Sequence, residues 1–170
     1  MLCFGVDAVI VNDETSEERY HDYPFPKKFA GLLPVHYDNK QGDVIYKLPR
    51  RYAGLARVVE KARMELLRPI SREDDLEGLR AYTSVIERGP DSPAATAWEG
   101  TDVLRVGARL NEGELLLVQV SYDPAWRAYS AGRSLTIRRD MLGQMLVEAP
   151  PGEHDIRLVF ELPLENILGR

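Results

Sequence analysis

From residue 103 onward apolar and polar positions alternate with period two, the mark of strands that bury one face. Leu104, Val106, Ala108 and Leu110 fall on one side of such a strand and Arg105, Gly107 and Arg109 on the other. Leu116, Val118, Val120 and Tyr122 repeat the pattern, as do Ile156, Leu158, Phe160 and Leu162 against Asp155, Arg157 and Glu161. Residues 126–130, 134–140 and 144–149 supply three more strands. Turn chemistry separates them at Asn111-Glu112-Gly113, Asp123-Pro124, Ala131-Gly132 and Pro150-Pro151-Gly152, where Pro fixes φ or Gly allows it to be positive. Roughly six or seven short strands at this spacing predict an antiparallel β-sandwich, jelly-roll-like, over residues 94–170.

Upstream the pattern changes. Residues 8–11 form a short continuous apolar run that suits a strand buried on both faces, and a strand is expected to start already at Phe4-Gly5-Val6-Asp7, with no leading segment, as if the chain had been cut from something larger. Thr15 or Ser16 is placed to cap a helical turn, which Pro24 and Pro26 would cut short; residues 27–33 add another turn. Residues 35–37 and 44–48, joined by the turn-forming 38–43, predict a hairpin. The sum is a small α/β layer over residues 1–52. In the connecting region, 53–93, Leu55, Val59, Ala62 and Leu66 fit a helix while Val58, Ala62, Met64 and Leu66 also fit a strand. Residues 74–88 are clearer: Glu73, Asp74 and Asp75 stand at the start of a helix, Leu76, Leu79, Tyr82 and Val85 or Ile86 form its stripe, and Gly89-Pro90 ends it. Asp91-Ser92-Pro93-Ala94-Ala95 then connects into the β region. The fold class expected is α+β, a small α/β layer followed by a sandwich with one helix before it.

Composition narrows the function classes. With 170 residues, 44% hydrophobic and 29% charged, the chain is ordinary globular material. A net charge of −5 with both signs interspersed argues against a nucleic-acid surface, which needs clustered Lys and Arg. The tight basic pairs Lys27-Lys28, Arg50-Arg51 and Arg138-Arg139 read as solvated surface. One cysteine, Cys3, leaves the redox compartment open. No apolar run reaches the roughly 20 residues that span a bilayer, and no signal-peptide pattern stands at the start.

Candidate chemistry is thin. The strand at 8–11 is followed by Asn12-Asp13-Glu14-Thr15, two carboxylates where a nucleotide's phosphates would sit, which excludes a phosphate loop. His21, His36 and His154 are too scattered for a local metal motif, so neither metal nor cofactor is expected. Ser121-Tyr122-Asp123 lacks a nucleophile elbow and a base. Glu99, Asp102, Asp123, Asp140, Glu148 and Glu153 offer carboxylates whose pairing sequence leaves open. Aromatic rings are the remaining prospect, since sugars stack on exposed rings beside polar partners. Tyr122, Trp98, Trp126 and Tyr129 qualify by type. Trp126 is expected in the core; Tyr129, of opposite parity, faces out together with Arg127. The ligand-binding candidates are therefore Tyr129, Arg127, Tyr122 and Asp123.

Residues 117–128, LVQVSYDPAWRA, with Ala131-Gly132-Arg133 and residues 147–156, VEAPPGEHDI, resemble the C-terminal extracytoplasmic region of multi-span bacterial membrane proteins of the YfhO family. That pattern is an apolar strand ending in a tyrosine-rich turn, then Pro-Gly-Trp, an Asp-Gly turn, and Pro-x-Gly-x-His opening a strand. Ala125 stands here for the usual Gly and Ala131 for the usual Asp. A looser likeness extends upstream through residues 4–11 and 43–48. The resemblance implies a strand over 55–66 and a parent related to glycosyltransferases that use lipid-linked sugars. It further implies a non-catalytic domain outside the cytoplasm, whose partners are the membrane-embedded part of the same polypeptide and a glycan or lipid-linked sugar. A carbohydrate-binding module of sandwich type is the rival reading, and a free-standing hydrolase the third.

Overall fold

The computed structural model describes residues 1–70, 72, 74–92 and 94–161; Glu73, Pro93 and Leu162 of the patterns above lie outside the described residues. The chain divides into two compact units, 1–51 and 52–170.

The first unit is a three-stranded antiparallel sheet in the order β1-β3-β2, from β1 (Ala8–Asn12), β2 (Val35–Asp38) and β3 (Asp43–Lys47). Several expectations change. β1 is an edge strand with Val9 and Val11 buried and Ile10 60% exposed, because only one face of the sheet packs on Phe29, Tyr46 and Leu48. Residues 2–4 form a 3₁₀ turn ended by Gly5 at φ +70°, so the strand begins at Ala8 rather than at Phe4. No helix follows Thr15 or Ser16 either. Their hydroxyls donate to Asp13 and Asp43, and Ser16 Oγ accepts from the Glu18 amide, a local turn that Ser and Thr side chains offer the backbone in competition with helix. A 3₁₀ turn at Pro26–Phe29 replaces the turn expected over 27–33 and inserts Phe29 into the core, where Tyr23 meets it edge-on at 4.9 Å. The hairpin β2–β3 forms as expected. Gly42 permits it: φ is +100°, and a β-carbon there would strike the Ser16 amide and the Asp13 carboxylate.

The second unit holds β4 (Ala56–Glu60), α1 (Lys61–Glu65), α2 (Leu76–Glu87), β5 (Ala95–Glu99), β6 (Val103–Leu110), β7 (Glu114–Ser121), β8 (Trp126–Ser130), β9 (Arg133–Arg139), β10 (Gln144–Glu148) and β11 (Gly152–Phe160). Residues 55–66 thus carry both periods, strand and then helix, with the switch at Glu60. The eight strands make one antiparallel sheet in the order β4-β7-β10-β9-β8-β11-β6-β5. Where two stacked sheets were expected, a single sheet curls into a nearly closed barrel, and the chain is mostly β rather than α+β. The reason is β9. Residues 133–135 pair with β8 and residues 136–139 pair with β10, so one strand carries the ladder around the bend. β4, beyond β7, comes back against β6.

Both halves of the curled sheet face one core. Leu104, Val106 and Leu110 of β6, Leu116 and Val118 of β7, Met145 and Val147 of β10, and Ile156 and Leu158 of β11 are all at most 1% exposed. Trp126 of β8 closes this core, with the Phe160 ring edge-on at 5.3 Å and Trp98 at 6.4 Å. The β8–β9 turn is two residues long with positive φ at both, Ala131 (+48°) and Gly132 (+75°). That matches the handedness tight hairpins prefer, and it holds an alanine where Asn or Gly sits more easily.

β4, β7 and β10 are buried on their outer face as well, because α1 and α2 lie over that side. Asp75 caps α2 by accepting from the Gly78 amide, and Tyr82 and Ile86 of its stripe are fully buried while Leu76 is 60% exposed. Polar anchors fix the helix. Arg57 of β4 is buried and donates to Glu87 of α2 and to Gln119 of β7, 2.6 Å; Tyr82 donates its hydroxyl to Asp140. Removing one member of such a buried set leaves its partner's charge or dipole uncompensated.

Replacing Trp126 by alanine removes a buried ring from the joint between β8 and β11. We expect it to lower unfolding free energy by roughly 3–5 kcal/mol in denaturant melts; a loss under about 1 kcal/mol would place the ring outside the core. Acid should loosen α2. Hydrogen bonds from Arg68 and then from the Gly78 amide hold the Asp75 carboxyl below its ordinary range. A carboxylate whose folded pKa is lowered stabilises the fold above its unfolded pKa, and that contribution is lost as pH falls through the folded value. The denaturation midpoint should therefore fall below about pH 4, and by less in Asp75→Ala, whose midpoint at neutral pH is already reduced. An equal acid response in the variant would remove Asp75 from the account.

Candidate functional site

Strand parity puts Arg105 of β6, Arg127 and Tyr129 of β8, and Asp155 and Arg157 of β11 on the outer face of the sheet, away from Trp126 and Ile156. The α2 side covers β4, β7 and β10, whereas Arg105, Arg127, Asp155 and Arg157 remain exposed. Register then brings particular side chains together. Arg157 lies directly across from Arg105 on one side and from Tyr129 on the other, and Asp155 lies across from Gly107, which presents no side chain. Arg105, Tyr129, Ala131, Gly132, Asp155 and Arg157 line a depression of about 480 Å³. This volume is within the range of small-molecule sites, about 300–1,000 Å³.

The charges in it are unequally satisfied. Arg105 donates to both oxygens of Asp155 and to Glu99 at 3.1 Å, and these hydrogen bonds, that to Asp155 first, raise its pKa further. Glu161 bridges the sequence candidates: its carboxylate accepts from the Tyr129 hydroxyl at 3.3 Å and stands 3.7 Å from Arg127 Nε. Arg157 makes no hydrogen bond or ion pair with a described residue.

The four candidates therefore part company. Tyr129 and Arg127 share the outer face and the Glu161 carboxylate. Arg127 turns its Nη1 to the Pro124 and Trp126 carbonyls, 2.6 and 3.0 Å, so it steadies the preceding turn. Asp123 is taken up by that same turn, accepting from the Ala125 amide at 2.7 Å, and Tyr122 packs against the core. Sequence reasoning missed Arg105, Asp155 and Arg157 as a group. Alternation had put them all on the outer face; what it lacked was the register that makes them neighbours.

The other polar groups serve the fold. Asp140 accepts from Tyr82 and from the Leu142 and Gln144 amides, and Glu148 pairs with Arg138. His154 meets Ser130 through Nδ1 at 3.1 Å and the Pro150 carbonyl through Nε2 at 2.7 Å. A carbonyl only accepts, so Nε2 carries a proton; in the neutral ring Nδ1 then accepts from the serine hydroxyl. Ser130 is 9% exposed and shares the core-facing parity of Trp126 and Ala128, which makes this pair a seal at the end of β8. In the first unit, the Asp43 carboxylate accepts from Ser16, Asn12 and Asn39, which hold its pKa down and tie three chain segments together. Among the described residues no group of His, Cys, Asp or Glu could hold a metal ion, and no helix is long and apolar enough to cross a membrane.

Comparison with known protein families, curated proteins and solved structures returns no match. The site stands on its geometry. Chelation is a direct check on it: EDTA should leave the melting temperature and circular dichroism unchanged, and a drop of several degrees would show a metal held by convergent ligands.

Proposed function

We propose that this chain is a non-catalytic accessory module that holds a glycan on the open half of its eight-stranded sheet. The observation that carries the reading is the depression beside Tyr129, where an aromatic side chain is grouped with the Asp155 carboxylate and the Arg157 guanidinium. An aromatic face takes the apolar side of a sugar ring while nearby carboxylates and guanidinium groups bond its hydroxyls. A curled sheet with both halves on one core suits this use as a variant of the sandwich architecture.

Resemblance to the YfhO family supplies the setting. In that reading the chain lies outside the cytoplasm, attached to the membrane-embedded part of the same polypeptide, and serves cell-surface polysaccharide or glycolipid assembly. The glycan or lipid-linked sugar is then the ligand, and any glycosyl transfer belongs to the membrane-embedded part. Against catalysis in this unit stand the carboxylates themselves: Asp123, Asp140 and Glu148 are each taken up by a turn, a tyrosine or an arginine. Rate enhancement requires positioned acids, bases or oxyanion donors, and these groups are occupied in holding the fold.

Titration against a glycan panel tests the proposal. Saturable binding is expected, weakened about tenfold or more in Tyr129→Ala at unchanged melting temperature, which corresponds to about 1.4 kcal/mol. Nitrophenyl glycosides, esters and phosphates should release no product above the buffer blank. Turnover that vanishes in Asp123→Asn or Glu148→Gln while the fold persists would make the chain an enzyme.

A further inference from the structure

We infer that the depression selects an acidic sugar, whose carboxylate is held by Arg157 while its ring lies against Tyr129; this rests on the glycan-binding reading above. The first ground is an electrostatic mismatch in the sheet. Arg105 and Arg157 are directly opposite each other on β6 and β11. Like charges in that position destabilise a sheet unless something compensates them. Arg105 is compensated, by Asp155 and Glu99. Counted with Glu99, two guanidinium groups stand against two carboxylates, but both carboxylates are committed to Arg105, so Arg157, exposed and without a hydrogen bond or ion pair to a described residue, is the guanidinium of the depression left to meet a ligand.

The second ground is the chemistry of the group left over. A guanidinium presents its donors as a planar fork that matches a carboxylate in two parallel hydrogen bonds, stronger than neutral ones. A carboxylate monoanion matches that one guanidinium. A phosphate dianion would bring a second charge that Arg105, already held by two carboxylates, is not free to meet. The remaining neighbours suit a sugar that carries such a group. Asp155 keeps lone pairs for ring hydroxyls after bonding Arg105, and Gly107, beside it, leaves open space above the sheet. Tyr129, across the ladder from Arg157, is placed for the ring itself.

Calorimetric titration of the whole chain with oligogalacturonate and with its fully methyl-esterified form tests the inference. The acid form should bind about tenfold more tightly than the ester, with an advantage that shrinks as salt is raised. In Arg157→Gln the ratio of the two affinities should fall to near unity, and in Arg157→Lys it should recover only in part, because the charge returns without the fork. Tyr129→Ala should weaken both forms. Melting curves and circular dichroism of the exposed-site variants establish that they fold. Equal binding of acid and ester, or an Arg157→Gln ratio unchanged from the parent, overturns the acidic-sugar inference while leaving glycan binding in place. Tighter binding of glucose 1-phosphate than of galacturonate would also overturn it, in favour of a phosphorylated ligand. Failure of every neutral and acidic glycan to bind removes the underlying reading and this inference with it.

Discussion

The second unit depends on how one strand, β9, divides its hydrogen bonds. Its first residues complete the ladder to β8 and its last residues the ladder to β10, so the sheet turns back on itself without a break in pairing. Curling hides the apolar faces of β6, β7, β8, β10 and β11 in a common core, and each Å² of apolar surface so removed from water contributes about 25 cal/mol. A flat sheet of the same strands would leave that face to water. The turn before β9 shows the cost: Ala131 is held in left-handed geometry, a conformation that disfavours side chains with a β-carbon.

Two consequences follow on the outer face. Helices α1 and α2 cover β4, β7 and β10, and the contacts there are partly polar, with Arg57, Glu87 and Gln119 in one group and Tyr82, Asp140 and Gln144 in another. A buried guanidinium is costly to desolvate, so its partners must meet it in a defined arrangement, and that requirement fixes where α2 lies. At the opposite half, strands β6, β8 and β11 keep charged outer rows. Cross-strand neighbours there set which charges cancel and which remain, and Arg157, across from Arg105, is one that remains among the described residues.

Much of the fold was legible in the chain. Alternation at Leu104, Val106, Ala108 and Leu110 gave both the strand and its buried side, and the acidic start and apolar stripe of α2 gave a helix within a few residues of its ends. Trp126 in the core and Tyr129 outside it followed from parity. Local signals failed where a tertiary partner outweighed them. β7 buries both faces because helices distant in sequence cover it, and β1 exposes Ile10 because it lies at an edge. No helix follows Thr15 or Ser16: their hydroxyls donate to Asp13 and Asp43, and Ser16 accepts from the Glu18 amide in a local turn.

By itself, then, the sequence determined an antiparallel β module with one good helix and an outer face carrying Arg127, Tyr129, Asp155 and Arg157, since side-chain parity is a property of a single strand. Tertiary structure decided the rest. Strand order and register are set by which apolar faces can share one core, and they alone put Arg157 between Arg105 and Tyr129 rather than beside a carboxylate of its own. Packing on the core took the Tyr122 ring, while the Asp123 carboxylate was taken by its own turn, accepting from the Ala125 amide two residues on, because an Asp before Pro can satisfy the local backbone without any tertiary partner.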